Sequence, residues 1–585
     1  MQRAAAFALG ESGRTPAIGL LRSAVFDPDR ETGVLAVEAL GKLGAAVTDA
    51  GDALTVLAEA ERWARLLPNL FRFKEEAAVP LAEGGLAVSD PALHARAAYA
   101  LARTPRPESA PRLRALLADP DPFVRGWVAR ALGEVGDGGD LARLRPLLDD
   151  PEPGPIIEAL RAGRRRVLAG SAAAPDDWRG RLRTLLDDPR PHVRVTAVEA
   201  AGAWLLDADL GDALARLARL ADAEADAAHR PEREEALIAL AVGGAPRAGD
   251  LVVRASAAAD RDLRAKAAEA AGYLALGAAA LPGGGGQIAA LLDRLLHDLD
   301  PKVRVAALEA SIVAAGDQAA EVVTEVLARD TDAGVRASAL DWATDHPQVP
   351  VEALGEATVL ALADRNVESS LAAVKALAAR AKAQPLEHGA LVAVLEKLAG
   401  ARDYPVRREA VRALTGLGRP APAVGPVDSR LEVEAYTEIV QRTARPRTVE
   451  LKTSAGTLRI RLACPEAPMT CLNFLQLAAQ GFYQGLTFHR VVPDFVVQAG
   501  DPRGDGFGGP GYSIRDEINL LRYDRGAVGM ALAGADTGGS QFFITLAPQP
   551  HLDGGYTVFG HVVGGDEVLD RIVHGTVIES VVELP

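Results

Sequence analysis

One recurring pattern constrains this chain more than any other feature. Asp119-Pro120-Asp121-Pro122-Phe123-Val124-Arg125, followed by Ala129-Arg130-Ala131-Leu132-Gly133, comes back as Asp188-Pro189-Arg190-Pro191-His192-Val193-Arg194 with Ala197-Val198-Glu199-Ala200. It returns as Asp300-Pro301-Lys302-Val303-Arg304 with Ala307-Leu308-Glu309-Ala310, and more weakly at Asp262-Leu263-Arg264, Gly334-Val335-Arg336 and Pro405-Val406-Arg407. Arg304 and Arg336 lie 32 residues apart, and about two such steps separate Arg125 from Arg194 and Arg336 from Arg407. A repeat of roughly 30 to 40 residues with helical apolar spacing marks a solenoid of helix pairs. Proline cannot continue a helix but suits the first position of the next one, so Asp-Pro punctuates the units.

One helix pair has too little core to stand alone, so units stack and share an interior. The pattern resembles HEAT-like repeats, which implies an all-α solenoid over residues 1–418 with roughly eleven or twelve units, a degenerate stretch near Trp63 to Gly85 and a glycine insertion at Gly283 to Gly286. Arg125, Arg194 and Arg304 admit two readings. They form a basic ladder that grips an acidic partner, or each bonds an aspartate in the adjoining turn and ties unit to unit. The second reading explains their recurrence with Asp-Pro. The five tryptophans, all in this part, are read as core or inter-repeat packing.

From Arg419 the pattern breaks. Pro420, Pro422, Gly425 and Pro426 make residues 419–446 a stiff linker, with one short helix expected within Leu431 to Thr443. Beyond it, residues 447–585 contain Phe488-His489-Arg490-Val491-Val492-Pro493-Asp494-Phe495-Val496-Val497-Gln498-Ala499-Gly500-Asp501. Alternation sets Phe488 and Arg490 on one face of a strand. After a turn at Pro493-Asp494, a second strand carries Val496 and Gln498 on one face. A cation, an amide and apolar side chains can meet in one shallow pocket.

This stretch resembles the active-site core of the cyclophilins, the peptidyl-prolyl cis/trans isomerases. The resemblance continues through Pro468-Met469-Thr470-Cys471-Leu472-Asn473-Phe474, Gly481-Phe482-Tyr483, Asp516-Glu517-Ile518-Asn519, Gly529-Met530-Ala531, Gly539-Ser540-Gln541-Phe542-Phe543-Ile544-Thr545, Leu552-Asp553-Gly554 and Val558-Phe559-Gly560, in the family's order. It implies a closed eight-stranded β-barrel with two capping helices, and an isomerase that assists folding or conformational switching of proline-containing peptides or proteins, with no cofactor and no metal. Arg490 is then the catalytic residue. Phe495, Val496, Phe543 and Leu552 line the seat for the proline ring, Gln498 bonds the substrate carbonyl side, Ala531 and Leu532 pair with the peptide backbone, and Gln541 and Tyr556 complete the substrate-binding set. Val496, Leu532, His551 and Tyr556 depart from the best-known members. His551, where many members have tryptophan, implies weak cyclosporin binding. The alternative reading is a non-catalytic module that holds proline segments on an interaction scaffold.

Composition narrows the remaining classes. Of 585 residues, 79 are acidic and 64 basic, for a net charge of −15, which argues against a nucleic-acid or anionic-membrane surface. No run of about 18 apolar residues suggests a membrane span. The chain reads as soluble and cytoplasmic as written, or exported if an upstream signal is missing, because Arg3 to Gly10 already resembles the middle of a repeat. Cys464 and Cys471 are expected to be two buried thiols, with a local bridge as the alternative. Gly504-Asp505-Gly506-Phe507-Gly508-Gly509 matches G-x-G-x-x-G, but Pro510-Gly511 follows in place of a helix, so a dinucleotide site is not expected. His489 is read as a buried, hydrogen-bonded residue.

Overall fold

The computed structural model describes residues 2–11, 15–47, 57–74, 76–170, 176–204, 208–219, 230–245, 247–276, 285–363, 367–383, 388–425 and 432–585. The first two glycines of the expected insertion, Gly283 and Gly284, and the linker's Pro426 lie outside them. The chain divides into two compact units, Met1–Asp188 and Pro189–Pro585.

The first unit is built of helices. Pro122 and Pro91 open helices as expected, and each helix also gains a cap: Asp121 accepts from Phe123 N at 2.9 Å for Pro122–Val135, and Asp90 does the same for Pro91–Arg103 through Ala92 N. The stretch that looked degenerate folds as a helix at Glu59–Leu66, a 3-10 turn at Leu67–Arg72 and a helix at Ala78–Gly85. Trp178 is fully buried and its indole donates to Leu141 O at 2.9 Å. Helices Pro122–Val135 and Pro153–Leu168 approach closely at Gly133, where an added Cβ would lie 2.8 Å from Ala162 Cα. Gly133→Val is therefore expected to overpack this contact and destabilise the first unit by about 1–3 kcal/mol. Thermal unfolding of the full chain reads this as a lowered melting transition, and an unchanged one would show that the helices can separate at no cost.

The arginine ladder is internal. Arg125 donates to both carboxylate oxygens of Asp150, at 2.7 and 2.8 Å, and reaches back to Asp119 O at 2.7 Å. In the second unit Arg264 repeats this geometry on Asp298 and Ala258 O, and Arg304 repeats it on Asp330 and Asp298 O. Each guanidinium ties the turn behind it to the turn of the next repeat. Arg194, expected on an aspartate, instead donates to Glu232 Oε1 at 2.7 Å; the tie between repeats, rather than a grip on a partner, explains the recurrence.

The second unit combines helices from Pro191–Ala201 to Tyr404–Gly416 with a helix at Val433–Arg442 and an antiparallel eight-stranded sheet. The strands are β1 Arg447–Thr453, β2 Gly456–Leu462, β3 Arg490–Val492, β4 Val496–Ala499, β5 Ala527–Met530, β6 Phe542–Thr545, β7 Val558–Gly564 and β8 Ile578–Leu584, in the order β3-β4-β6-β5-β7-β2-β1-β8. Val449 and Leu451 of β1 and Leu458, Ile460 and Leu462 of β2 alternate with exposed or half-buried neighbours, which places one face of the sheet in the core. The helix Pro468–Ala479 lays Phe474 into that core. Its first turn has no side-chain cap of its own; Glu517 supplies one from a distant loop, accepting from Met469 N at 2.9 Å and Thr470 N at 2.7 Å.

The cysteines differ from expectation. Cys464 and Cys471 form a disulfide, with their Cα atoms 5.2 Å apart. Cys464 follows β2 and Cys471 sits in the first turn of the next helix, so the reversal of the chain brings both fully buried side chains to bridging distance. Among the described residues no helix is long and apolar enough to cross a membrane.

Candidate active site

Three short strands place the expected residues in a row. Arg490 of β3 stands opposite Gln498 of β4, Gln498 opposite Phe543 of β6, and Phe543 opposite Gly529 of β5. Directly paired residues share a face, so guanidinium, amide and aromatic ring lie side by side across the sheet. Gly529 makes room for that ring, because a Cβ there would stand 2.5 Å from Phe543 Cζ. The turn between β3 and β4 falls at Pro493-Asp494, with Asp494 in the left-handed region at φ 60°.

Most of the expected seat residues gather in one apolar cluster. Val496, Phe543 and Leu552 are buried together with Tyr523, Ala527 and Val558, and Phe495, Ala531 and Tyr556 pack against them. Phe543 stacks on Tyr523, centroids 5.4 Å apart, and meets Tyr556 edge-on at 5.9 Å. His551 stacks on Phe495 at 5.8 Å, and the Arg490 guanidinium carbon lies 5.9 Å from the Phe495 centroid. Leu532 is not in this cluster and packs instead against the main core of the sheet. The Ala531 N–H already donates to Gln541 O at 3.0 Å.

The electrostatics separate Arg490 from its neighbour His489. Arg490 is exposed at the rim and makes no hydrogen bond or ion pair among the described residues. Its partly desolvated surroundings lower its pKa and Tyr556 works in the opposite direction, yet a guanidinium stays charged at any working pH. His489 is not hydrogen-bonded as expected: both ring nitrogens are buried without a partner. Burial pulls its pKa down to about 4 against the opposing charge of Asp501, so the ring is neutral near pH 7 and takes no part in holding charge.

Gln498 belongs to a chain of amides. Its Nε2 donates to Gln541 Oε1 at 2.9 Å, and Gln541 Nε2 donates to Gly506 O at 2.7 Å and Gly508 O at 2.9 Å. Two cavities, of about 1140 and 440 Å³, flank this position, and Gln498 lines both. The far wall of each is made by helices of the same unit, Glu368 and Asp403 in the larger, Glu269 and Glu309 in the smaller. Strand alternation revealed the row Arg490–Gln498. The helical wall left no signal in sequence, since its residues, from Glu269 to Asp403, belong to other helices and caps far from Gln498 in the chain.

An apolar cluster with an exposed guanidinium and an amide at its edge lies on an antiparallel sheet in a chain with helical repeats. The family model for cyclophilin type peptidyl-prolyl cis-trans isomerases matches residues 448–583, and the model for HEAT repeats matches residues 80–163. A peptidyl-prolyl cis-trans isomerase of Helicobacter pylori is 44% identical over 154 residues, 26% of this chain and 94% of the relative. Peptidyl-prolyl cis-trans isomerase B of Bacillus subtilis is 55% identical over 120 residues, 20% of this chain and 84% of the relative. A crystal structure of a Cryptosporidium parvum cyclophilin type isomerase aligns at 36% identity over 24% of this chain and 99% of its own, with a TM-score of 0.23. Through its C-terminal residues, the chain belongs to the cyclophilin-type peptidyl-prolyl cis-trans isomerase family.

Proposed function

We propose that the isomerase reaction runs at Arg490, with Phe495, Val496, Phe543 and Leu552 as the seat for the proline ring. The amide barrier, about 18–20 kcal/mol, exists because nitrogen lends its lone pair to the carbonyl. Twisting the bond returns that pair to nitrogen, and a fixed cation aimed at it stabilises the twisted state more than the planar one. The reaction transfers no proton and needs no nucleophile. Gln498 meets the substrate carbonyl, the Ala531 carbonyl and the Leu532 backbone pair with the peptide, and Gln541 and Tyr556 border the site. The observation that carries this reading is a guanidinium without an ion-pair partner among the described residues, on the strand position directly opposite Gln498 and beside an aromatic cluster.

The finer architecture follows the same reading. The bridge between Thr487 and Val577, with Phe488 N donating to Thr576 O at 2.9 Å, supports closure of the sheet into a barrel between its β3 and β8 edges. The helices Pro468–Ala479 and Asp566–Leu569 are its two caps. Residues 1–418 serve as a HEAT-like scaffold for a protein partner, 419–446 as the linker and 447–585 as the catalytic domain. Clients are proline-containing segments of peptides or proteins.

The test is the cis-to-trans rate of an Ala-Pro peptide with the full chain. Uncatalysed, it takes tens to hundreds of seconds, and catalytic amounts of the chain are expected to shorten it in proportion to concentration. An unchanged rate would overturn the isomerase reading and leave a module that only holds proline segments.

A further inference from the structure

The glycine-rich loop that a dinucleotide-binding motif mimics has a structural task. Within residues 502–509, Arg503 makes a bidentate pair with Asp332, both bonds at 2.8 Å, and also holds Asp505 at 2.6 Å. Asp332 is the N-cap of the helix Ala333–Thr344, accepting from Gly334 N at 2.9 Å. Phe507 packs against the apolar cluster of that helix and its neighbours, which includes Leu308 and Val335. From the barrel side, buried Asp501 accepts from Arg503 N at 2.7 Å and from Gly506 N at 2.6 Å. The loop is thus pinned between the repeat helices and the sheet.

Its consequence reaches the site through two amides. The carbonyls of Gly506 and Gly508 can only accept, so Gln541 must present its NH₂ group to both of them. Its Oε1 is then left to face Gln498, and Gln498 must answer with Nε2. That leaves the second hydrogen of Gln498 Nε2 for a substrate carbonyl. A loop displaced by an ångström frees Gln541 to turn over, and Gln498 then loses its fixed orientation.

We propose that the repeat helices complete the active site: Asp332, acting through Arg503 and the 502–509 loop, is a positioning residue that orients Gln541 and, through it, Gln498. This rests on the isomerase reading above. It makes the helical part a component of the catalytic geometry as well as a carrier. The Gly504–Gly509 motif is then a strut between the helices and the sheet.

Asp332→Ser is the test variant, because serine keeps the helix cap but is too short to hold Arg503. With the full chain and an Ala-Pro peptide, kcat/KM is expected to fall about tenfold, mainly in kcat, since small misplacements of catalytic groups are costly. In a Gln498→Ala background the same change is expected to matter less than about twofold, because the residue through which it acts is already gone. Arg503→Met, on the loop side of the pair, is expected to behave alike and is independent of the cap. Wild-type activity in Asp332→Ser and Arg503→Met, or equal losses in both backgrounds, would overturn the proposal by showing that the pair serves docking alone. Turnover by the wild-type chain with either of those results leaves the isomerase reading standing. A wild-type chain with no turnover overturns both.

Discussion

Arg490→Ala is expected to lower kcat/KM for an Ala-Pro peptide about 10²- to 10³-fold while leaving the fold intact. Removing one preorganised donor from a developing charge typically costs about 2.7–4 kcal/mol. Arg490 suits such a test, because its exposed guanidinium has no hydrogen bond or ion pair among the described residues and nothing is orphaned by its loss. Its guanidinium carbon lies over the Phe495 ring, 5.9 Å from the centroid. Circular dichroism and melting of the variant should match the wild type. A loss of less than about threefold would assign the stabilising charge elsewhere and turn the site into a binding surface.

The largest stability effect in the sheet domain is expected from Phe474→Ala, at about 3–5 kcal/mol. Phe474 is fully buried, and its ring centroid lies 5.0 Å from that of Tyr483 and 5.4 Å from those of Phe542 and Phe559. These rings come from a helix, a loop, β6 and β7, so one residue joins the helix to the sheet. Deleting it leaves a cavity that well-packed aromatic neighbours fill poorly. Because native domains hold only about 5–15 kcal/mol, a denaturant midpoint close to the wild type would mean that the helix contributes little to the sheet domain. Activity measured below the transition should persist, since Phe474 faces the core and not the seat.

The local parts of this molecule were legible because their signals are short-range. The Asp-Pro punctuation marked where helices begin, because proline acts on its immediate neighbours, and in the structure Asp121 and Asp300 also cap those helices. Strand alternation brought Arg490 and Gln498 toward one pocket, and the hairpin of the structure sets these residues, eight positions apart, directly opposite each other. The disulfide was the weaker reading, as seven residues of separation allow but do not require a bridge; the turn from β2 into the helix decides it. The unpaired ring of His489 was hidden for a related reason: whether a histidine finds a partner depends on what the fold packs above it.

What the residues alone determined is the kind of chain this is: helix pairs by their period, and a cyclophilin-type domain by its ordered motifs, with an expected proline seat named through that resemblance. What only the tertiary structure decided is what stands opposite that seat and what holds the loop beside it. Asp332 and Arg503 are 171 positions apart, and no periodicity links them. Their meeting follows from the packing of the sheet against the repeat helices, a contact whose free energy is summed over many scattered residues and written in no single motif.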